Sequence, residues 1–437
     1  MTRFTVHRAG VVLPVTAPPI AGGAVAVADG LVVAVGRFDD VLAELPGGDR
    51  RVVEWRGAIV PGLVNAHTHL QYTGMAEVGR GAYRGFEDWA GTFNAVYRTI
   101  DDWAASAAAG ARAALASGTT AAADVVTDVT AGAALHDAGL KGIAYWEVFG
   151  WTRSRWEAGG RAETLDRVAD LPAAPGAGLS PHAVYSVDRG VLVDIARLAR
   201  DRGLRQHIHA AESASEDEYV RTGSGPLADR WRDLGHSDLE VLRSDGVGLP
   251  VLPYLDSTGS LSPRTHLAHG VYVSAADRAL LRERGVTVAL CPRSNAVIGL
   301  APPPVADYLV EGNRIAVGTD SLGSSASLDP LDDVAALVRI AREQGYRAPD
   351  LHARLLAAAT HGGARALGLD EGAARIGVLE PRAAADLAVL AIDSTTAADA
   401  LVEIVEGGGG RGVATMIDGS IVWQRPGDRS RSEVRGE

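Results

Sequence analysis

Cysteine and lysine are nearly absent from the sequence. Its 437 residues include one cysteine, Cys291, so no intramolecular disulfide can form and nothing indicates an oxidising compartment. They include one lysine, Lys141, so arginine supplies almost all of the 42 basic side chains. The sequence also lacks a basic run, and its formal net charge is -12. Because proteins bind nucleic acids through clustered lysine and arginine, we expect no nucleic-acid partner.

A long uninterrupted apolar stretch is missing as well. Near the N terminus, Pro14, Pro18 and Pro19 interrupt the apolar residues, so neither a secretory leader nor a membrane span is predicted. We therefore expect a cytoplasmic protein without a membrane partner. Hydrophobic residues make up 47% of the chain and charged residues 22%, which is typical of a globular protein with a sizeable buried core.

The middle of the chain has the pattern of an α/β fold. Between residues 59 and 375, short apolar runs alternate with Ala- and Arg-rich helical stretches, which predicts a parallel sheet. The chain is longer than the roughly 250 residues of a (β/α)8 TIM barrel, so we predict such a barrel with room for a smaller second module. Residues 222–262 are rich in Gly, Pro and Asp, and we expect an insertion there near the mouth of the active site.

Both ends of the chain have a different pattern. Residues 1–58 and 376–425 contain short alternating strands, with Asp-Gly turns at positions 29–30 and 418–419. We predict that the two ends pair into one small β-sandwich domain beside the barrel. Residues 426–437 have almost no apolar side chains, which predicts a flexible tail.

Two histidines stand two residues apart in the segment PGLVNAHTHL. On a strand, residues i and i+2 point to the same side, so His67 and His69 would enter one cavity and could bind one ion. Two histidines at this spacing are about as often a structural or surface pair as a metal-binding pair. The prediction of a metal site therefore depends on further candidate ligands later in the sequence.

Further candidate ligands come at the ends of later strand candidates. His209 ends QHIH, with Glu212 three residues later; His269 ends HLAH; and Asp320 ends IAVGTD. A buried carboxylate such as Asp320 needs a partner, which a cation supplies. Because the carboxyl ends of all strands meet at one face of a (β/α)8 barrel, we expect these side chains to share one pocket with the first two histidines.

Two more histidines lie close to these positions in the sequence. His207 precedes His209 by two residues, so it faces the same side of the strand one layer deeper. His266 lies near the start of its strand candidate. We expect both side chains to pack or to form hydrogen bonds rather than to bind an ion directly.

The order His-x-His, His, His and then Asp resembles the amidohydrolase superfamily over essentially the whole chain. The flanking phrases VPGLVNAHTHL, SPHAVYSV, HAAES, AHGVYV, LCPRSN and AVGTDS resemble the branch that contains chlorohydrolases and nucleoside deaminases. The resemblance implies a (β/α)8 barrel and a hydrolase that acts on carbon–nitrogen bonds of cyclic amidines by means of a metal-activated water molecule.

In the mononuclear pattern that the sequence resembles, His67, His69, His209 and Asp320 ligate one divalent metal. Zinc is the simplest expectation for three imidazoles and a carboxylate, and iron or manganese would also fit. Two-metal relatives usually bridge their ions with a carboxylated lysine. Lys141 begins its strand candidate and would lie at the opposite end of the barrel, so we expect one metal.

The resemblance also implies roles for the remaining site residues. His269 and Asp320 would orient the water molecule and take its proton, while Glu212 would donate a proton to a ring nitrogen of the substrate. His182, in SPHAVYSV, would bind substrate. Glu147, in EVFG, could add a metal ligand, but substrate binding is the expected role.

Longer phrases look most like the family of aminodeoxyfutalosine deaminases in menaquinone biosynthesis: EVFG, HAAESASEDEYVRTGSGPLADRW, PYLDSTGSLSPRTHLAHG and GTDSLGSSASLDPLDDV. This resemblance implies deamination of 6-amino-6-deoxyfutalosine, an adenine nucleoside with a 3-carboxybenzoyl group. Asp88, or else Glu87, is expected to hold the ribose hydroxyls. Arg153, Arg155 and Arg221 are candidates for the substrate carboxylate.

Several alternatives stay open at this point. A sibling deaminase acting on S-adenosylhomocysteine, methylthioadenosine, adenosine or guanine would have the same metal site and a different outer pocket. A hydrolase of amides or chlorotriazines would belong to another reaction class, and a non-catalytic binding protein is the remaining alternative. The expected partner is a small nucleoside, and a homodimer is left open.

Overall fold

The computed structural model describes residues 3–47, 49–174, 176–394, 396–428 and 431–435. The N-terminal part consists of short strands with one helix, α1 (Phe38–Glu44), between the fifth and the sixth. These strands are β1 (Phe4–Arg8), β2 (Val11–Val12), β3 (Ile20–Ala21), β4 (Gly23–Ala28), β5 (Leu31–Arg37), β6 (Arg50–Glu54) and β7 (Ala58–Pro61).

Eight strands of the middle region form one parallel sheet in which neighbours along the chain are neighbours in the sheet. They are β8 (Leu63–Thr68), β9 (Thr119–Val126), β10 (Lys141–Val148), β11 (Ala177–Pro181), β12 (Gln206–Ala210), β13 (Thr265–His269), β14 (Thr287–Leu290) and β15 (Arg314–Val317). All residues of β8, β9, β12, β13 and β14 are buried, as expected when both faces of a parallel sheet are covered.

The first and last strands of this sheet come together. The backbone amides of Thr319 and Asp320 each donate a hydrogen bond of 3.0 Å to the carbonyl oxygen of His67. The side chain of Asn65 adds a hydrogen bond of 2.7 Å from Nδ2 to Oγ1 of Thr319. The sheet is therefore a nearly closed barrel, in agreement with the predicted TIM barrel.

Helices follow the strands and cover the outside of the barrel. They are α2 (Phe86–Tyr97), α3 (Trp103–Ser117), α4 (Ala134–Ala138), α5 (Arg153–Arg155), α6 (Arg161–Asp170), α7 (Arg189–Arg202), α8 (Ala214–Thr222), α9 (Pro226–Asp233), α10 (Glu240–Arg243), α11 (Val251–Ser257), α12 (Ala275–Arg284), α13 (Pro292–Ile298), α14 (Val305–Glu311), α15 (Pro330–Glu343), α16 (Leu351–Ala357), α17 (Gly363–Leu367) and α18 (Ala397–Gly407). Short 3-10 segments (Leu70–Met75 and Val78–Arg80) and π-helical turns (Trp156–Gly160 and Ala358–Gly362) supplement them. Among the described residues, no helix is long and apolar enough to cross a membrane.

The two ends of the chain build two further sheets together. The C-terminal strands are β16 (Leu387–Leu390), β17 (Gly412–Ile417), β18 (Ser420–Gln424) and β19 (Arg431–Arg435). One sheet has the order β19-β6-β1-β4-β5 and the other β18-β17-β16-β7-β2-β3. Both sheets contribute to one hydrophobic cluster, in which Val25 and Val32 join Ile59, Leu387 and Met416. The predicted pairing of the two ends is thus observed, while a β-sandwich stays a prediction.

The C terminus differs from the flexible tail predicted for residues 426–437. Residues 431–435 form the edge strand β19, which runs antiparallel to β6, with Arg431 opposite Glu54 and Arg435 opposite Arg50. An edge strand pairs through backbone hydrogen bonds with its neighbour, so a segment with few apolar side chains can still pair. The polar composition therefore misled the sequence prediction.

Lys141 lies where the sequence predicted it, at the start of β10 and away from the carboxyl ends of the strands. Its ammonium group donates hydrogen bonds to Oδ1 of Asp386 at 2.9 Å and to Oδ1 of Asp418 at 2.6 Å. The Asp386 side chain is 1% exposed and the Asp418 side chain 58% exposed. The single lysine therefore joins the barrel to the six-stranded sheet and its β17–β18 turn.

Replacing Lys141 should destabilise the fold without changing the carboxyl ends of the barrel strands. We expect Lys141→Met to lower the free energy of unfolding by about 3 kcal/mol, because a buried carboxylate on Asp386 loses its counter-charge. The exposed partner provides a matched control, and Asp418→Asn should cost less than about 1 kcal/mol. Urea denaturation of the three proteins measures both values. Equal effects of the two substitutions would contradict this account of Lys141.

Candidate metal centre and active site

The candidate ligands all lie at the carboxyl ends of barrel strands. His67 lies in β8 and His69 follows it, His209 lies in β12, His269 ends β13, and Asp320 comes three residues after β15. His269 and Asp320 have backbone φ angles of 74° and 55°, which side chains other than glycine rarely adopt. Such backbone conformations persist where surrounding contacts enforce them, and they aim both side chains at the barrel axis.

These five side chains form one compact cluster. Nε2 of His67 and Nε2 of His69 lie 3.5 Å and 3.6 Å from Oδ1 of Asp320. Nε2 of His69 lies 3.3 Å from Nε2 of His209. The potential ligand atoms of His67, His69 and His209 are all within 4.8 Å of one another, and so are those of His67, His269 and Asp320. The structure thus brings together the side chains that the sequence predicted as metal ligands.

The hydrogen bonds behind His67 fix its tautomer. Nδ1 of His207 faces the carbonyl oxygen of His266 at 3.2 Å, and a carbonyl can only accept, so this nitrogen carries the proton. Burial lowers the pKa of His207 well below its usual value, so Nε2 of the neutral ring accepts the 2.7 Å hydrogen bond from Nδ1 of His67. Nε2 of His67 then presents an unprotonated lone pair, and it has no hydrogen-bond partner among the residues that the structure describes.

The same argument applies to His209. Its Nδ1 lies 3.1 Å from the carbonyl oxygen of His182 and must donate, so Nε2 presents a lone pair toward His69. Burial lowers the pKa of His209, and it lowers that of His69 to about 3, so both rings are neutral. Lone pairs and a buried carboxylate then converge without a counter-charge. A divalent cation supplies that charge, so this donor set fits a metal ion.

Serine and asparagine side chains orient the cluster from outside. Oγ of Ser294 and Oγ of Ser324 each donate a hydrogen bond of 2.7 Å to Oδ2 of Asp320, which leaves Oδ1 directed at the histidines. Nδ2 of Asn295 lies 3.4 Å from Nδ1 of His269. Sequence reasoning did not assign these residues, although Ser294 and Asn295 belong to the quoted phrase LCPRSN.

Two buried carboxyl groups lie beside the cluster. Oε1 of Glu212 is 3.5 Å from Nε2 of His269, and burial, with the charges of Asp320 and Glu216, raises the pKa of Glu212 well above its usual value. Oε1 of Glu147 is 4.0 Å from Nδ1 of His209, and burial followed by the charge of Asp320 raises its pKa to about 8. Because their pKa values are raised, both carboxyl groups can carry a proton near neutral pH.

A cavity of about 520 Å³ opens over the cluster and reaches His69, His209, Glu212, His269 and Asp320. The chain has 23 aromatic residues (8 Trp, 10 Tyr and 5 Phe), and ten of them line this one cavity. They are Tyr72, Phe86, Trp89, Phe93, Tyr97, Trp146, Phe149, Trp151, Tyr185 and Trp231. Such a concentration favours ligands with planar rings, which stack on aromatic side chains.

The residues predicted to bind substrate divide into two groups. His182 and Glu147 line the cavity, and Nδ1 of His182 is held by Oγ of Ser186 at 2.8 Å. Asp88 is not among the residues that line the cavity, and its exposed carboxylate accepts a hydrogen bond of 3.1 Å from the backbone amide of Arg84; a contact with the ribose hydroxyls stays a prediction. Asp88 thus stabilises the start of α2, where acidic side chains are common.

The three candidate arginines for a substrate carboxylate also lie outside the cavity wall. Each has an acidic partner elsewhere: Arg153 with Glu157 at 2.5 Å, Arg155 with Asp238 at 3.7 Å, and Arg221 with Asp217 at 2.6 Å. The arginine that does line the cavity is Arg230, on α9. Its helix belongs to the segment 222–262, which was predicted to be an insertion near the mouth.

The model of the amidohydrolase family matches residues 58–422, which include the barrel and every residue of the cluster. The chain belongs to the amidohydrolase family. This amidohydrolase is accordingly a hydrolase of carbon–nitrogen bonds, and its buried histidine and aspartate cluster suits the metal dependence of the family.

Named relatives of this amidohydrolase are deaminases. A 5-methylthioadenosine/S-adenosylhomocysteine deaminase of Nitratidesulfovibrio vulgaris is 30% identical over 85% of this chain and 79% of its own. An aminodeoxyfutalosine deaminase of Deinococcus radiodurans is 33% identical over 79% of this chain and 81% of its own. The crystal structure of a zinc-bound adenosine deaminase from Xanthomonas campestris superposes with a TM-score of 0.77, at 25% identity, over 95% of this chain and 92% of its own.

The hydrogen bond between His207 and His67 should set the affinity for metal. We expect His207→Ala to weaken metal binding about 10- to 100-fold, because His67 loses the acceptor that fixes its tautomer. Titration against a competing chelator measures the dissociation constant directly, and thermal unfolding of the metal-free protein shows whether the fold is intact.

His136 provides the control for this experiment. It is exposed and its Nδ1 contacts the carbonyl oxygen of Ala174, far along the sequence from the cluster. His136→Ala should therefore bind metal as the unaltered protein does. An unchanged dissociation constant in His207→Ala would show that the tautomer of His67 does not depend on His207.

Proposed function

We propose that the protein is a metal-dependent hydrolytic deaminase of 6-aminopurine nucleosides. The observation that carries this proposal is the position of Glu212, a buried carboxyl group beside the His and Asp cluster at the inner end of an aromatic cavity. A planar purine would stack on the aromatic rings of the wall. The deaminases among the relatives support the same reaction class.

His67, His69, His209 and Asp320 would hold one divalent metal. We propose zinc, since three imidazoles and a carboxylate suit it and the adenosine deaminase of X. campestris carries zinc; iron and manganese are the alternatives. When bound, the metal would lower the pKa of water toward about 7 and so supply hydroxide at neutral pH.

The side chains around the metal position would direct the protons. His269 and Asp320 would orient the attacking water and take its proton, with Asn295 and the two serines holding both in place. Glu212 would donate a proton to the purine ring nitrogen next to C6. A new C6–O bond forms, the C6–N bond breaks, and the amino group takes up a proton and leaves as ammonia.

The proposed substrate is 6-amino-6-deoxyfutalosine, which would place the protein in menaquinone biosynthesis. The aminodeoxyfutalosine deaminase of D. radiodurans supports this choice. Methylthioadenosine or S-adenosylhomocysteine is the second candidate, supported by the deaminase of N. vulgaris. His182 and Glu147, both in the wall, are proposed to contact the nucleoside.

Removing the carboxyl group of Glu212 should abolish most activity and leave the metal bound. We expect Glu212→Gln to lower kcat for deamination about 100- to 10,000-fold, as for the loss of a general acid or base. The absorbance change from adenine to hypoxanthine measures the rate, and elemental analysis measures the metal. Glu157→Gln, an exposed acid outside the wall, serves as the control. Near-normal turnover by Glu212→Gln would contradict the proposed proton donor.

The reaction class is tested by a panel of substrates. The protein should release ammonia from 6-aminopurine nucleosides and show no turnover of simple amides or chlorotriazines, because its cavity holds a proton donor for a ring nitrogen. Ammonia release and chloride release are measured side by side. Preferential turnover of an amide or a chlorotriazine would place the protein in another reaction class.

A further inference from the structure

The outer part of the cavity wall contains a guanidinium group without an acidic partner. Arg230 lines the cavity and is half-buried, and within the described residues it makes no ion pair. Its Nη1 lies 3.4 Å from the carbonyl oxygen of Glu87, a neutral acceptor in α2. A partly desolvated cation facing a ligand cavity favours a ligand that carries negative charge.

Arg230 belongs to a helix face directed at the cavity. Leu227, Arg230, Trp231 and Leu234 follow the i, i+3, i+4, i+7 spacing of one helical face, and all four line the cavity. The cation on α9 therefore lies among apolar and aromatic side chains. A ligand that matches this face combines an apolar body with an anionic group.

A series of ring contacts leads from the metal cluster to this face. The ring centroids of His209 and His182 are 5.0 Å apart, those of His182 and Phe149 4.9 Å, and those of Phe149 and Trp231 5.6 Å. Trp231 and its neighbour Arg230 are thus three ring contacts away from the metal ligands. A nucleoside with its purine at the metal would extend its ribose and the 5' substituent along this wall toward α9.

The apolar wall around Arg230 is incompletely covered. None of the residues of α2 is buried, although Phe86, Trp89, Phe93 and Tyr97 of this helix all line the cavity. Phe149 is 48% exposed and Leu234 50% exposed, also in the wall. An aromatic group between α2 and α9 would cover these surfaces, and aromatic pairs add to the gain from apolar burial.

We propose that Arg230 binds the carboxylate of an aromatic acid attached to the 5' end of the nucleoside, and that it determines the specificity for this substrate. The proposal rests on the proposed deaminase function. The outer wall also contains Glu163, an exposed acid, which could bind the ammonium group of an amino acid substituent. An aryl carboxylate needs Arg230 alone, whereas an amino acid needs both residues.

The test compares substrates that differ at the 5' position. We would measure kcat/KM for adenosine, methylthioadenosine, S-adenosylhomocysteine and 6-amino-6-deoxyfutalosine with the unaltered protein and with Arg230→Gln. The unaltered protein should prefer 6-amino-6-deoxyfutalosine. Arg230→Gln should lower kcat/KM for that substrate about 10- to 100-fold, mainly through KM, and should change the values for adenosine and methylthioadenosine less than about 2-fold. Turnover of the two neutral nucleosides also shows that the variant folds.

Two matched variants separate the alternatives. Arg232, two residues later on α9, pairs with Asp229 and lies outside the wall, so Arg232→Gln should leave all four values unchanged. Glu163→Gln should not affect 6-amino-6-deoxyfutalosine. If S-adenosylhomocysteine is the better substrate and Glu163→Gln impairs it, the wall binds an amino acid and the aryl carboxylate is wrong.

Other outcomes also overturn the inference. A similar loss for all substrates in Arg230→Gln would make Arg230 a structural residue. If the unaltered protein deaminates adenosine or methylthioadenosine as well as 6-amino-6-deoxyfutalosine, the proposed function stands and the specificity fails. If it deaminates no 6-aminopurine nucleoside, the proposed function fails and this inference fails with it.

Discussion

The site depends on one electrostatic constraint, a buried carboxylate that faces imidazole lone pairs. Oδ1 of Asp320 lies 3.5 Å from Nε2 of His67, and this nitrogen cannot donate because the single proton of the neutral His67 ring is on Nδ1, which donates it to Nε2 of His207. Two acceptors at this distance repel each other unless a cation lies between them. The rest of the site follows from this requirement, since the serines, Asn295 and the barrel backbone all hold the acceptors in place.

The barrel and the inserted helices contribute differently to function. The strand ends position the reactive groups, and the closure of the barrel between β8 and β15 brings His67 next to Asp320. The outer wall comes from α2 and α9, which lie in longer connections between strands. A rigid centre with a variable rim allows relatives of one family to act on different substrates at the same metal site.

Much of this arrangement could be predicted from the sequence, because simple periodicities govern it. The spacing of His67 and His69 on a strand and the convergence of the strand ends predict the cluster. The sequence is least informative for charged residues on the rim, because no periodic pattern specifies their partners. Asp88, Arg153 and Arg221 have partners four residues away, and Arg155 pairs with the distant Asp238. Composition reveals none of these partners, and Arg230 is indistinguishable in sequence from the other arginines. The strand at 431–435 was missed because edge pairing needs no apolar pattern.

The number of metal ions bound per chain tests the central claim most directly. Elemental analysis of the purified and dialysed protein should give one divalent transition metal per chain, and the same measurement on Asp320→Asn should give far less. Two ions per chain, a full complement in Asp320→Asn, or no metal after reconstitution of the unaltered protein would contradict the account.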